Sequence, residues 1–336
     1  EIFDMGVQYL SIVMIFSLGI FGQFFFERLL TSTGKTVFSM VSQLAGAITN
    51  IILDPILIFG WFGLPEMGIE GAAYATVMGQ CVSMVLGAFS HHGFNRDVES
   101  RLRYLKPDKG IIADIYKVGV PAVIMQALMS FMTYGVNIIF GRVSGAAVTA
   151  YGIYYKIQQF VFFAAFGLNN ALIPIVAFNY GMQDKRRVKS GIKYGLLYTL
   201  GIMFVGALGL QIFAENAAGI FSLSAQTQAL CVKAIRIVTW GYLFVGANVA
   251  LQGIFQAFGN GVRSLILSMV RLVIVALPLA YYFTTLENAE DLIWWAFPIA
   301  EGCGLLVGMV FMRITAREKL RTAGNRRTER EAEKYA

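Results

Sequence analysis

The chain has 336 residues, of which 57% are hydrophobic and 14% charged, with a net charge of +7 and a mean hydropathy of +0.64. A soluble domain carries about 25% charged residues, so so much apolar surface calls for lipid rather than water as its solvent. The positive charge sits in connections and the tail, where it sets orientation in a membrane, and no nucleic-acid partner is expected.

Apolar runs near the ~20 residues that a spanning helix needs occur at 5–26, 37–61, 71–90, 115–140, 147–176, 192–213, 230–255, 264–284 and 292–312. They are too long for strands and lack period-2 alternation, and lipid leaves helices as the main way to satisfy the backbone. The fold class is therefore all-α, a multipass membrane protein with nine transmembrane helices. Pro55, Pro121, Pro174, Pro278 and Pro298 interrupt spans and predict bends.

The connections alternate in charge. The link 91–114 carries Arg96, Arg101, Arg103, Lys106 and Lys109, the link 177–191 carries Lys185, Arg186, Arg187 and Lys189, and the tail from Arg313 is rich in both. Between them, the links hold Glu66 and Glu70, then Glu215, then Glu287, Glu290 and Asp291; Arg142 is the exception. Basic connections stay inside, which places the C-terminus in the cytoplasm and residue 1 on the outer side of a plasma membrane.

A stretch near the start is played twice. Asp4–Ser39 falls on Ala229–Ser264 at an offset of 225 residues without a gap, with seven of 36 positions identical, among them Gly34/Gly259. The polar interruptions coincide as well: Gln23 falls on Asn248 and Glu27 on Gln252. Two homologous helical halves are a common transporter plan. The second copy is preceded by three helices and the first by none, so three further helices upstream would complete a twelve-helix, six-plus-six architecture. On this plan residues 1–92 are the last three helices of a first lobe and 93–112 a basic cytoplasmic link. Residues 113–313 form a complete six-helix second lobe, and 314–336 a cytoplasmic tail.

Six segments carry a resemblance. They are NIILDPILIFG at 50–60, MGIEGAAYATVMGQ at 67–80, KVGVPAVIMQALMS at 117–130, FGLNNALIPIVAFNYGMQDKRRV at 166–188, GIFQAFGNGVRS at 253–264 and WWAFPIAE at 294–301. In this order they resemble the multidrug and toxic compound extrusion (MATE) family, and within it the MepA-like branch, over residues 4–312, without its first three helices. The resemblance implies efflux of amphipathic, often cationic drugs, driven by inward protons or sodium. One branch of the family places a Glu and an Asp in the second lobe where this chain has Met129 and Val245, so that carboxylate set is absent.

Charges at membrane depth are expensive and are functional candidates by default. Lys156 and Glu301 each lie about nine residues in from the outer end of a helix and Arg271 about seven from an inner end, roughly 10–15 Å deep at 1.5 Å per residue. All three belong to one lobe, and Glu301 is expected to pair with Lys156 or Arg271. Such a pair either fixes helices statically or carries a proton- or substrate-linked role. Asp54, before Pro55, is a fourth candidate, for local structure or for ion binding.

A drug pathway needs uncharged polar groups in a greasy wall. Gln126, Ser130, Tyr134 and Asn137 share one helical face. Gln158, Gln159, Asn169 and Asn170 follow on the next helix, and Asn248 and Gln252 come from the repeat. Each serves either a substrate cavity or an interhelical hydrogen bond. Thr33-Gly34-Lys35-Thr36 lacks the leading glycine of a phosphate loop, since residue 29 is Leu29. His91-His92 has no third metal ligand, and no nucleophile–base pair suggests an enzyme.

The sequence thus reads as a monomeric multidrug efflux antiporter working by alternating access. It needs no cofactor beyond a coupling cation (H+ or Na+), and its partners are small-molecule drugs or organic cations and membrane lipid. A lipid-linked oligosaccharide flippase and a non-transporting membrane scaffold are the alternatives.

Overall fold

Within lipid a free backbone N–H or C=O has no partner, and the apolar runs accordingly fold as helices. The computed structural model describes residues 2–98 and 106–320 and contains no strand among them. Its spans are α1 (Phe3–Ile15 and Leu18–Ser32, bent by 52° between the two), α2 (Thr36–Phe59), α3 (Gly68–Phe94), α4 (Lys109–Gly141) and α5 (Gly145–Gly181). They continue with α6 (Lys185–Ile212), α7 (Ala225–Ala257), α8 (Gly261–Phe283) and α9 (Ala289–Lys319). The nine expected runs are present among the described residues. The first differs from expectation: it is a bent pair reaching Ser32 rather than one run closing near residue 26.

The chain divides into two compact units, Glu1–Pro107 and Asp108–Ala336. The first holds α1–α3. There α2 and α3 approach through small residues: a Cβ on Gly46 would lie 2.5 Å from the Gly79 carbonyl oxygen, and Ser83 donates to the Ser42 carbonyl at 3.0 Å. The second unit holds α4–α9 around a core that includes the fully buried Phe140, Tyr154, Tyr242 and Trp294. Phe140 meets Trp294 edge-on at 4.9 Å between ring centroids. Helix starts are capped from the sequence: Asp108, Ser144 and Asp184 accept from the first-turn N–H groups of α4, α5 and α6.

Helices α2, α4 and α5 run on through Pro55, Pro121 and Pro174. The two irregular stretches near prolines are elsewhere. Val270–Val275 in α8 is π-helical and contains Ile274, whose carbonyl loses its N–H partner to Pro278 four residues on. Ile293–Trp295 in α9 is a 3-10 turn containing Trp294, four residues before Pro298.

The repeat extends from sequence into geometry and reaches beyond residue 39. Gly34 and Gly259 both take left-handed φ, +79° and +73°. Lys35 N–H donates to the Leu30 carbonyl and Asn260 N–H to the Phe255 carbonyl, each at 2.8 Å. The next helix then starts at Thr36 and Gly261, keeping the offset of 225, and the third ends at Phe94 and Lys319 with the same offset. The break at Phe16–Ser17 falls on Gly241–Tyr242, where the 3-10 turn Thr239–Gly241 interrupts α7. Three helices, α1–α3, are therefore repeated as α7–α9.

Candidate functional site

Three helices of the second unit bring one polar group each to a common point: Asn248 from α7, Arg271 from α8 and Glu301 from α9. Arg271 lies in the π-helical stretch, where the wider turn departs from regular helical register, a feature frequent at functional sites. Gly304 makes room opposite. A Cβ there would come within 3.0 Å of Arg271 Cβ and 3.2 Å of Asn248 Nδ2.

Arg271 Nη1 donates to Glu301 Oε1 at 2.8 Å and to Oε2 at 2.9 Å. Asn248 Nδ2 donates to Oε2 at 2.8 Å and to the Glu301 carbonyl at 2.9 Å. The side chains of Arg271 and Glu301 are only 6% and 12% exposed, and Asn248 is fully buried. One guanidinium nitrogen serves both carboxylate oxygens, so the pair lacks the parallel two-nitrogen fork that makes such bridges strongest. Arg271 Nε and Asn248 Oδ1 are buried without a hydrogen-bond partner. Spare donor and acceptor capacity therefore remains beside a carboxylate that already has three contacts.

The pair borders a cavity of about 80 Å³ whose wall includes Tyr151, Tyr154, Gln158, Gln159 and Tyr242. Tyr154 and Tyr242 bring their hydroxyls within 3.5 Å of each other. This volume holds a few waters and falls well short of the ~300–1,000 Å³ of a drug-sized site. In the conformation seen, the cavity has room for water and not for a drug-sized molecule.

The other expected residues are placed as follows. Gln158 and Gln159 line the cavity with Arg271 and Glu301. Gln126, Ser130, Tyr134 and Asn137 form an exposed stripe on α4 outside it, with Asn137 Nδ2 donating to the Thr133 carbonyl at 2.9 Å. Asn169 packs against α7, its Oδ1 lying 2.0 Å from where a Gly253 Cβ would stand, and Asn170 is exposed. Gln252 Nε2 donates to Ser268 Oγ at 2.7 Å, bridging α7 and α8. Asp54 is half-buried and accepts from Asn50 Nδ2 at 3.3 Å.

The expected cluster of three charges has two. Of the two partners weighed for Glu301, the structure selects Arg271, and Lys156 is exposed with no ion partner among the described residues. Tyr154 and Ile157 occupy the buried face of α5, which turns the intervening Lys156 away. The place given to Lys156 is filled by Asn248, and the tyrosines were not singled out by sequence at all. In the first unit the repeat places Gln23, Gly46 and Thr76 where the second has Asn248, Arg271 and Glu301. Among the described residues, Thr76 has only the Tyr9 hydroxyl, at 3.3 Å, as a side-chain partner. Among the described residues, the buried ion pair belongs to the second copy.

The remaining motifs have structural explanations. Lys35 ties the α1–α2 turn to the end of α3 through the Phe94 carbonyl and lies 3.6 Å from Asp97. His91 is buried, with Asn95 Nδ2 3.2 Å from its Nδ1.

Residues 121–282 match the MatE family model. The chain is 27% identical over 308 residues to the multidrug export protein MepA of Staphylococcus aureus, covering 91% of this chain and 66% of MepA. It is likewise 27% identical over 304 residues to MepA of Staphylococcus saprophyticus, at 90% and 66% coverage. The chain thus spans about two thirds of the length of these curated relatives. Among solved structures it is similar to a multidrug resistance MATE family transporter in its outward-facing conformation (TM-score 0.87, 23% identity, 94% of this chain and 70% of that one). A MOP superfamily transporter from Pyrococcus furiosus also matches (TM-score 0.84, 23% identity, 92% and 70%). The fold is that of the MATE transporters.

Proposed function

We propose that this MatE-type chain serves the export of amphipathic or cationic small molecules across the plasma membrane, in exchange for protons or sodium, by alternating access. The similarity to MepA supports the substrate class. The observation that carries the mechanism is the buried Arg271–Glu301 pair, held by Asn248 on an irregular helix beside a water-sized cavity.

A ligand switches conformations only through different affinities for the two states. A proton taken by Glu301 would leave the Arg271 charge buried without its partner, so a state that keeps the pair closed and a state that opens it differ in proton affinity. A sodium ion entering the same cavity would meet the guanidinium at close range, whereas a proton bonds the carboxylate directly; the geometry favours the proton. Gln126, Ser130, Tyr134 and Asn137, exposed on α4, are proposed substrate contacts together with Gln158 and Gln159. The protein acts as a monomer and performs no bond chemistry.

The test is ethidium efflux from cells expressing the natural reading frame that encodes this chain, under imposed proton or sodium gradients. Efflux that collapses with the proton gradient and weakens in Glu301→Gln is the expected result. Correctly inserted protein with no efflux under either gradient would overturn the reading in favour of a flippase.

A further inference from the structure

Where α5 and α6 pack together, they leave a long trough on the second unit, away from the ion pair. One end, a cavity of about 460 Å³, is lined by Leu172, Ile175, Asn179, Arg187, Ser190 and Tyr198. It continues past Leu168 and Tyr198 into a hollow of about 850 Å³ along Val161, Gly201 and Val205. The α6 contribution recurs at 187, 190, 191, 194, 195 and 198, a single helical face.

The trough is polar at one end only. Asn179, Arg187 and Ser190 mark its mouth, Tyr194 and Tyr198 follow, and beyond Tyr198 the wall is apolar. From Arg187 to Tyr198 the helix rises roughly 16 Å, about one leaflet of a ~30 Å hydrocarbon core. Arg187 is the charged residue of the lining, and it lies in a strongly cationic segment: residues 184–193 carry Lys185, Arg186, Arg187, Lys189 and Lys193 against the carboxylate of Asp184. That carboxylate caps α6, accepting from Arg187 N–H at 3.0 Å, while Arg187 Nε lies 3.5 Å away from its other oxygen with the side chain 68% exposed. An exposed pair of this length is weak, and a phosphate can compete for the guanidinium. Gly201 keeps the far part open, since a Cβ there meets nothing within 4 Å.

We propose that this trough binds an anionic phospholipid, its phosphate on Arg187 and Ser190 and an acyl chain laid along α6 toward Gly201. Charge complementarity selects the headgroup, and the aromatic and apolar wall accepts the chain. A zwitterionic lipid of equal chain length offers no net charge to the basic mouth and binds more weakly.

The test uses the full protein, purified in detergent and exposed to equal amounts of phosphatidylglycerol and phosphatidylcholine with identical chains, with retained lipid read by native mass spectrometry. Wild type should retain phosphatidylglycerol selectively. Each cation removed near a charged headgroup should weaken retention about fivefold: Arg187→Gln by that factor, and Arg186→Gln/Arg187→Gln/Lys189→Gln roughly a hundredfold. Arg187→Lys should restore most of it. Gly201→Phe, which fills the trough without touching charge, should lower retention of both lipids. Equal retention of the two lipids by wild type, a triple variant within twofold of wild type, or an indifferent Gly201→Phe would each overturn the proposal. The exposed positions of Arg186, Arg187 and Lys189 keep these variants folded.

Discussion

Removing one charge from the Arg271–Glu301 pair should cost far more than removing both. At 2.8 Å, with side chains 6% and 12% exposed, each ion is largely stripped of water and depends on the other. Glu301→Gln or Arg271→Leu alone should destabilise the second unit by about 3–5 kcal/mol. Coulomb's law gives about 4 kcal/mol for unit charges 4 Å apart at an effective dielectric constant of 20, the same size. In the double variant Arg271→Leu/Glu301→Leu, no buried charge remains, and Asn248 Nδ2 keeps its bond to the residue-301 carbonyl at 2.9 Å. Its stability should return to within ~1–2 kcal/mol of wild type, because apolar replacement of a whole buried pair is often neutral. Cys231 is fully buried and unpaired, so a thiol-reactive dye reports its exposure on heating, in a Cys81→Ala/Cys303→Ala background. At 2–4 °C per kcal/mol for a unit of this size, the single variants should melt on the order of 10 °C below wild type. A double variant no more stable than the worse single would refute the coupling. A stable double variant that exports nothing would separate a coupling device from a structural brace.

Other expectations concern packing, the repeat and Lys156. Gly304→Val should lose about 1–3 kcal/mol by overpacking, since even its Cβ lies 3.0 Å from Arg271 Cβ; Gly302→Ala, 3.8 Å from the Phe244 ring, should be neutral or slightly stabilising in the same dye assay. Gly34→Ala and Gly259→Ala should each cost about 1–2 kcal/mol for left-handed backbone, and equally, because both turns share φ near +75° and the same hydrogen bond. Lys156→Gln should change stability by less than ~0.5 kcal/mol, and a larger loss would mean that the exposed ammonium has a partner.

The spans were legible in the sequence because hydropathy is a one-dimensional signal and each helix satisfies its own backbone. The repeat was legible where polar interruptions coincided, as at Gln23 and Asn248, and hidden in the second and third helices, where only geometry preserves it. Which partner Glu301 takes was not legible. Depth along a helix can be counted, but the facing direction of Lys156 depends on Tyr154 and Ile157 having claimed the inner side of α5. The π-helical stretch carries no compositional mark of its own; the available signal was Pro278, which frees the Ile274 carbonyl four residues earlier. Nothing in the sequence marks Tyr154 and Tyr242, which are core by burial and also wall the cavity. The break in the first helix was not legible, because Phe16-Ser17 holds neither Pro nor Gly.

The most direct test is drug-evoked proton movement in proteoliposomes, comparing wild type with Glu301→Gln. With an internal pH dye, wild type should move protons against ethidium, and Glu301→Gln should still bind ethidium but move no protons. Undiminished drug-evoked proton movement in Glu301→Gln would contradict the account and leave the buried pair as a brace between α8 and α9.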